Sequence, residues 1–248
     1  MKANIAIIAA LTGELKPLVT HRTARSWKRL PSSPGTELWE YRHSDGCWLA
    51  VCAGMGASRA AVAFAEAEKA MALDAVCSVG WAGSLRDSIR AGSVLSPALI
   101  VDAGTGEQFR PAHWVPEQPT LVSTSDVANA IEKERLAASY DASLVDMEAA
   151  TVARIAFGKS IPFYCFKAIS DDANAKLPDM NPFIADSGQL RMGPFLLYVA
   201  VRPYLWNVLI DLGRKSSEAA RALADELYDW LDERAYVRRS VGDYTVDK

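Results

Sequence analysis

The feature that most constrains this chain is the recurrence of short apolar runs, many of them β-branched, at 5–10, 48–53, 75–79, 93–101 and 162–169, each closed by turn or helix signals. Runs this short and this continuous fit strands covered on both faces, whereas a strand with one wet face alternates apolar and polar residues. Helical patterns fall between and after them at 58–72, 127–138, 147–157 and 216–234. Strand and helix in alternation predict a three-layer α/β/α fold around a central twisted mixed sheet. With 248 residues, 50% of them hydrophobic, the chain fills one such domain. We place that single domain over 1–235 and a C-terminal tail over 236–248, where charges and small residues show no period.

The balance of charges excludes one class of partner. A formal charge of −3 provides no basic field to draw a polyanion, so nucleic acid is not expected as a partner. Cys47, Cys52, Cys77 and Cys165 sit in apolar, strand-like runs without metal-ligand spacing, which predicts buried thiols and no metal. The run at 5–10 is too short for a secretion signal and leads directly into Gly13-Glu14 and Lys16-Pro17, so the expected location is cytoplasmic. The apolar stretch 194–212 is broken by Arg202 and Pro203 well short of a membrane span; it reads as a core helix or an oligomer contact. Residues 31–35 predict a turn before a hairpin, and 111–119, with its prolines, a loop.

Acidic residues carry the chemical signal. Asp146 and Glu148 precede Ala149 at a helix start, where the dipole favours carboxylates whatever their use. Asp171 follows the run 162–169, at the C-terminal end of a strand, where open α/β sheets present ligand groups. Gly54-Met55-Gly56 lacks the third glycine of a dinucleotide-binding turn and follows the second strand rather than the first.

Taken together, Met147-Glu148-Ala149 and Ala168-Ile169-Ser170-Asp171 resemble the paired signature of the methylthioadenosine/adenosylhomocysteine nucleosidases and their phosphorylase relatives. Three more stretches are similar in the same order: 5–14 to the family's first strand and acidic loop, Ala53-Gly54-Met55-Gly56 to its first glycine turn, and Gly80-Trp81-Ala82-Gly83 to its second. The resemblance implies a nucleoside phosphorylase-like catalytic domain that cleaves the bond between a purine and a ribose through an oxocarbenium-like state, without a cofactor. It implies Asp171 as the acid that protonates the departing base, which calls for a raised pKa, and Glu148 as the carboxylate receiving the ribose hydroxyls. Met147 would pack beside the sugar, and Glu14 would activate the attacking water. Gly54, Gly56, Trp81, Ala82, Gly83 and Ser170 complete the implied substrate contacts, and the assembly implied is a homodimer.

The sequence departs from that family in ways that bear on the substrate. Trp81 replaces a small residue, and Val127 and Ala128 stand where the nucleosidases carry a base-stacking aromatic and its neighbour. Trp81, Phe109 and Trp114, read as loop residues, are then the candidates for stacking on the base. The stretch 101–109 and the apolar, arginine-bearing C-terminal helices look more like hopanoid-associated members, which remove adenine from a lipid-linked nucleoside. The expected substrate is a 5′-substituted adenosine-type nucleoside, with an apolar 5′ group accommodated near 194–212. Two alternatives stand beside hydrolysis: a phosphorylase using Arg59 or Arg25 for phosphate, and a non-catalytic nucleoside-binding module on the same fold.

Overall fold

The computed structural model describes residues 3–20, 26–44, 46–175, 177–185, 188–189 and 191–242. In chain order the elements are β1 (Ala3–Ala9), α1 (Thr12–Thr20), β2 (Lys28–Leu30), β3 (Glu37–His43), β4 (Gly46–Cys52), α2 (Ala57–Ala70), β5 (Ala75–Ser84), β6 (Val94–Leu95), β7 (Leu99–Asp102), β8 (Gln108–Phe109) and β9 (Thr120–Ser123). They continue as α3 (Ala130–Tyr140), β10 (Leu144–Asp146), α4 (Ala149–Gly158), β11 (Phe163–Asp171), α5 (Met192–Ala200) and α6 (Trp206–Gly242). The sheet is mixed, as expected, with the order β2-β3-β4-β1-β5-β10-β9-β7-β8, and β11 pairs with both β5 and β6.

Strand alternation sorts the core into two layers. On β1, Ala6 and Ile8 face one way, against Phe64 and the alanines of α2 and α4; Ile5, Ile7 and Ala9 face the other, against Leu15 and Leu18 of α1 and Leu223 and Leu227 of α6. Helices α2 and α4 bury Ala60, Ala63 and Ala67, and Ala149, Ala153 and Ala156, so both lie close on the sheet. Phe64 of α2 is buried in the same cluster, and its truncation to alanine would cost about 3–5 kcal/mol.

The sheet is organised around β5. Its first half is flanked by parallel β1 and β11, and its end turns to antiparallel β10 through Gly83 and Ser84. Gly80, at the bend, has φ +133°, and a Cβ there would stand 2.6 Å from Glu14 Oε1, so only glycine fits.

Several expectations change in detail. Glu14 lies in the first turn of α1, a helix the sequence pattern conceals behind Gly13 and Pro17, rather than in a loop. The run 93–101 is two strands, interrupted around Pro97. The final helix starts at Trp206 and reaches Gly242, past the boundary drawn at 236; residues 243–248 lie outside the described residues. The stretch 194–212 is not plain core: Phe195 and Leu205 are buried, whereas Leu196, Leu197, Val201, Tyr204 and Ile210 are exposed. Among the described residues no single helix is long and apolar enough to cross a membrane, although 193–200 with 203–232, bent by 108°, pass that test as a pair. All four cysteines are buried thiols, and burial pushes Cys47 and Cys52 up to about 11.

Candidate active site

A cavity of about 300 Å³ opens where the C-terminal ends of β1, β5 and β11 meet the starts of α1 and α4. Glu14, Glu148 and Asp171 all line it, as do Trp81, Ala82, Gly83, Val127, Ala128, Met147 and Ser170. Its size suits a small organic ligand, and its walls are mostly apolar.

Glu14 is fixed by backbone donors. Oε2 accepts from the N–H groups of Ala10 (2.9 Å) and Leu11 (2.8 Å), and Oε1 from the N–H of Trp81 (2.7 Å). The bond to Leu11 is the carboxylate half of a capping box at the start of α1. Burial raises the Glu14 pKa, against the lowering effect of those N–H groups and of Lys167.

Glu148 and Asp146 divide two tasks at the start of α4. Asp146 caps the helix, with Oδ2 accepting from Ala149 N–H at 2.9 Å, and is held further by the Ser123 hydroxyl at 2.5 Å. Glu148 makes no cap; its Oε1 instead accepts from Gly56 N–H at 2.6 Å, at the start of α2. Two helix N-termini thus converge on one carboxyl. Burial, reinforced by the neighbouring Asp146 charge, pushes Glu148 up to about 8.

Lys167 lies beneath this layer, wholly enclosed, with its ammonium 2.9 Å from Asp146 Oδ2 and 3.3 Å from Ser78 Oγ. Burial alone would lower its pKa, but the Asp146 carboxylate outweighs that and the net direction is up.

Asp171 ends β11 at a bulge. Ile169 pairs with Ala82 and Asp171 with Gly83, leaving Ser170 as the extra residue. The Ser170 hydroxyl donates to Asp171 Oδ1 at 2.6 Å, while Asp171 Oδ2 receives the ammonium of Lys133, a buried residue of α3. Gly83 makes room for the pair: a Cβ there would stand 3.2 Å from Lys133 Cε and 3.3 Å from Asp171 Oδ2. Lys133 also lines the cavity. The sequence carried one sign of it, a lysine three residues before Leu136 on the buried stripe of α3.

Not every candidate reaches the cavity. The N–H of Gly54 is taken by the Ala10 carbonyl at 2.9 Å and its residue borders a different hollow, whereas Gly56 contributes through Glu148. Trp81 is part of β5 rather than a loop, and its indole N–H donates to the Ser216 carbonyl of α6 at 3.0 Å. Phe109 belongs to β8 and packs on Phe157, and Trp114 is exposed beneath Arg110; neither lines the cavity. Arg59 donates to the carbonyls of Ala53 (2.6 Å) and Gly35 (3.1 Å) and does not line the cavity, and Arg25 lies outside the described residues. Among the described residues, no cluster of His, Cys, Asp and Glu could hold a metal ion.

The far wall escaped the sequence reading. Leu177, Met180 and Ile184 line it together with Leu212 and Ser216 of α6. The Asn181 side chain accepts from Val127 N–H at 2.9 Å and donates to the Val127 carbonyl at 3.1 Å, tying that wall to the entry of α3.

The family model described as the phosphorylase superfamily matches residues 4–130. No curated protein sequence is matched. Among solved structures, the chain is similar to futalosine hydrolase of Helicobacter pylori, at 17% identity and TM-score 0.69 over 93% of this chain and 98% of that one. It is also similar to a mutant of Helicobacter pylori MTAN with 5′-methylthioadenosine in the active site, at 16% identity and TM-score 0.70 over 94% and 100% of the two chains. A third similar structure is Arabidopsis thaliana 5′-methylthioadenosine nucleosidase in apo form, at 17% identity and TM-score 0.71 over 93% and 95%.

Proposed function

The chain belongs to the phosphorylase superfamily, and from that premise we propose that it is a purine nucleosidase, hydrolysing the N-glycosidic bond of a 5′-substituted nucleoside. The observation that carries the reading is that Glu14, Glu148 and Asp171, from distant parts of the chain, line one cavity.

In this mechanism the Asp171 carboxyl gives its proton to N7 as the C1′–N9 bond breaks, so the purine leaves neutral. The carboxylate left behind is met by the Lys133 ammonium. Glu148, in its ionised form, accepts the ribose hydroxyls and faces the positive charge growing on the sugar. Glu14 takes a proton from the water that attacks C1′, giving free ribose product. The elevated pKa of Glu14 suits a base better than an unperturbed carboxylate would.

Two features favour water over phosphate as the nucleophile. Arg59 does not line the cavity, and among the described residues that do, Lys133 is the one cation, already on Asp171. An apolar 5′ substituent fits the wall made by Leu177, Met180, Ile184 and Leu212. Adenosine-type nucleosides are the substrates the sequence resemblance implies, and a homodimer in the cytoplasm is the setting it implies.

Product analysis tests the reading. Supplied with methylthioadenosine, adenosylhomocysteine and their hypoxanthine counterparts, the protein should release base and reducing sugar at the same rate with or without phosphate. Ribose 1-phosphate formed only when phosphate is present would replace hydrolysis with phosphorolysis, and no product from any nucleoside would leave a binding module.

A further inference from the structure

Lys133 has donor capacity that the proposed hydrolysis leaves unused. A buried lysine carries a desolvation cost that only its partners offset. The side chain is 4% exposed, yet it borders the cavity beside Gly83, Val127 and Ala128. Its ammonium carries three N–H donors. One goes to Asp171 Oδ2 and one to the Asp172 carbonyl at 2.9 Å, which leaves a third.

We propose that Lys133 sets the choice of base, its ammonium donating to an acceptor at purine position 6, so that 6-oxopurine nucleosides are cleaved in preference to 6-aminopurine ones, the reverse of the adenosine-type substrate that the sequence resemblance implies. The inference rests on the nucleosidase reading and on the base meeting Asp171 through N7. N7 and the 6-substituent share one edge of a purine, so a group bound to the second oxygen of the carboxyl that faces N7 stands next to position 6. A carbonyl there accepts from the ammonium. An exocyclic amine presents donors to a donor and a cation, and finds Asp171 Oδ2 already occupied. Leaving a buried donor unmatched in this way corresponds to roughly 10- to 100-fold in kcat/KM.

The test is a substrate series on the full chain: inosine, purine riboside and adenosine, each with the same 5′ substituent. The expected order is 6-oxo above 6-unsubstituted above 6-amino, with at least about tenfold between the extremes. Lys133→Met should bring the extremes to within about threefold, and Lys133→Arg, which keeps the charge and its donors, should restore part of the preference. Equal or faster cleavage of adenosine by the wild type overturns the proposal, as does a ratio unchanged in Lys133→Met. Should that variant fail to fold, the wild-type series decides alone. Calorimetry with free hypoxanthine and adenine separates this idea from the enzymatic one: tighter hypoxanthine binding without turnover keeps the role of Lys133 and removes the nucleosidase, whereas equal binding or none removes the role of Lys133.

Discussion

Two lysine–aspartate pairs each have one member on β11, and their surroundings differ. Lys167 and Asp146 are enclosed: Asp146 touches the cavity wall, but its side chain is 1% exposed, its carboxylate is held by Ser123 and Ala149 as well, and the Lys167 ammonium also reaches Ser78. Lys133 and Asp171 both border the cavity, and Asp171 is held by a single further donor, Ser170. Saturated and enclosed, the first pair fixes the turn from β10 into α4 and so aims Glu148. Incompletely saturated and reachable, the second can exchange a proton with a guest. In the proposed mechanism, what separates scaffold from chemistry is access and spare hydrogen-bonding capacity, since the residue types are the same.

The largest effect that would sharpen this contrast is on turnover. Asp171→Asn should lower kcat by about 10³-fold or more while changing KM by only a few-fold, read from single-turnover release of base. An equal loss from Lys167→Met with stability intact would break the contrast. We expect Lys167→Met to cost about 3–5 kcal/mol in urea unfolding, because it strands the enclosed Asp146 charge. Lys133→Met should cost clearly less, because the cavity admits water to Asp171.

A pH titration is the next in size. With Glu148 raised to about 8 and its ionised form required by the proposed mechanism, the limb of kcat/KM that Glu148 governs should climb about tenfold per pH unit below that value. Stability runs the other way. A carboxyl whose folded value exceeds the unfolded 4.5 stabilises fully below pH 4.5, and that contribution is lost as pH rises to about 8. Glu148→Gln should therefore be inactive, match the wild-type Tm near pH 4.5 and exceed it by several degrees at pH 9 in thermal melts. The smallest effects separate the hydroxyls. Ser123→Ala, which deprives both Asp146 and Ala150 N–H of a partner, should cost about 1–3 kcal/mol, whereas Ser170→Ala should lower kcat a few-fold and leave unfolding within about 1 kcal/mol.

The layered fold was legible because its strands announce themselves as apolar runs and its helices as alanine-rich periods. Helix α1 was hidden because Gly13 and Pro17 are poor helix formers, and tertiary packing of Leu15 and Leu18 overrides that local preference. The acids were legible through their motifs. What no local pattern announced is the division of labour between Asp146 and Glu148, since either could cap α4 and only the approach of Gly56 decides. Lys133 was hidden for a similar reason: charged neighbours at Glu132, Glu134 and Arg135 make it read as surface, and its burial is set by Gly83 across the sheet. The wall at Leu177 and Met180 has no period at all, being tied down by a single asparagine.

The bulge at Ser170 has a further consequence. Side chains along a strand change face with every residue, so adding or removing one position between Ile169 and Asp171 would leave every side chain of the site in the sequence while carrying the Asp171 carboxyl away from the cavity. Substitutions near the end of β11 can be absorbed gradually, but a change of length there cannot. The count of residues at that step thus shapes the cavity as much as any side chain does.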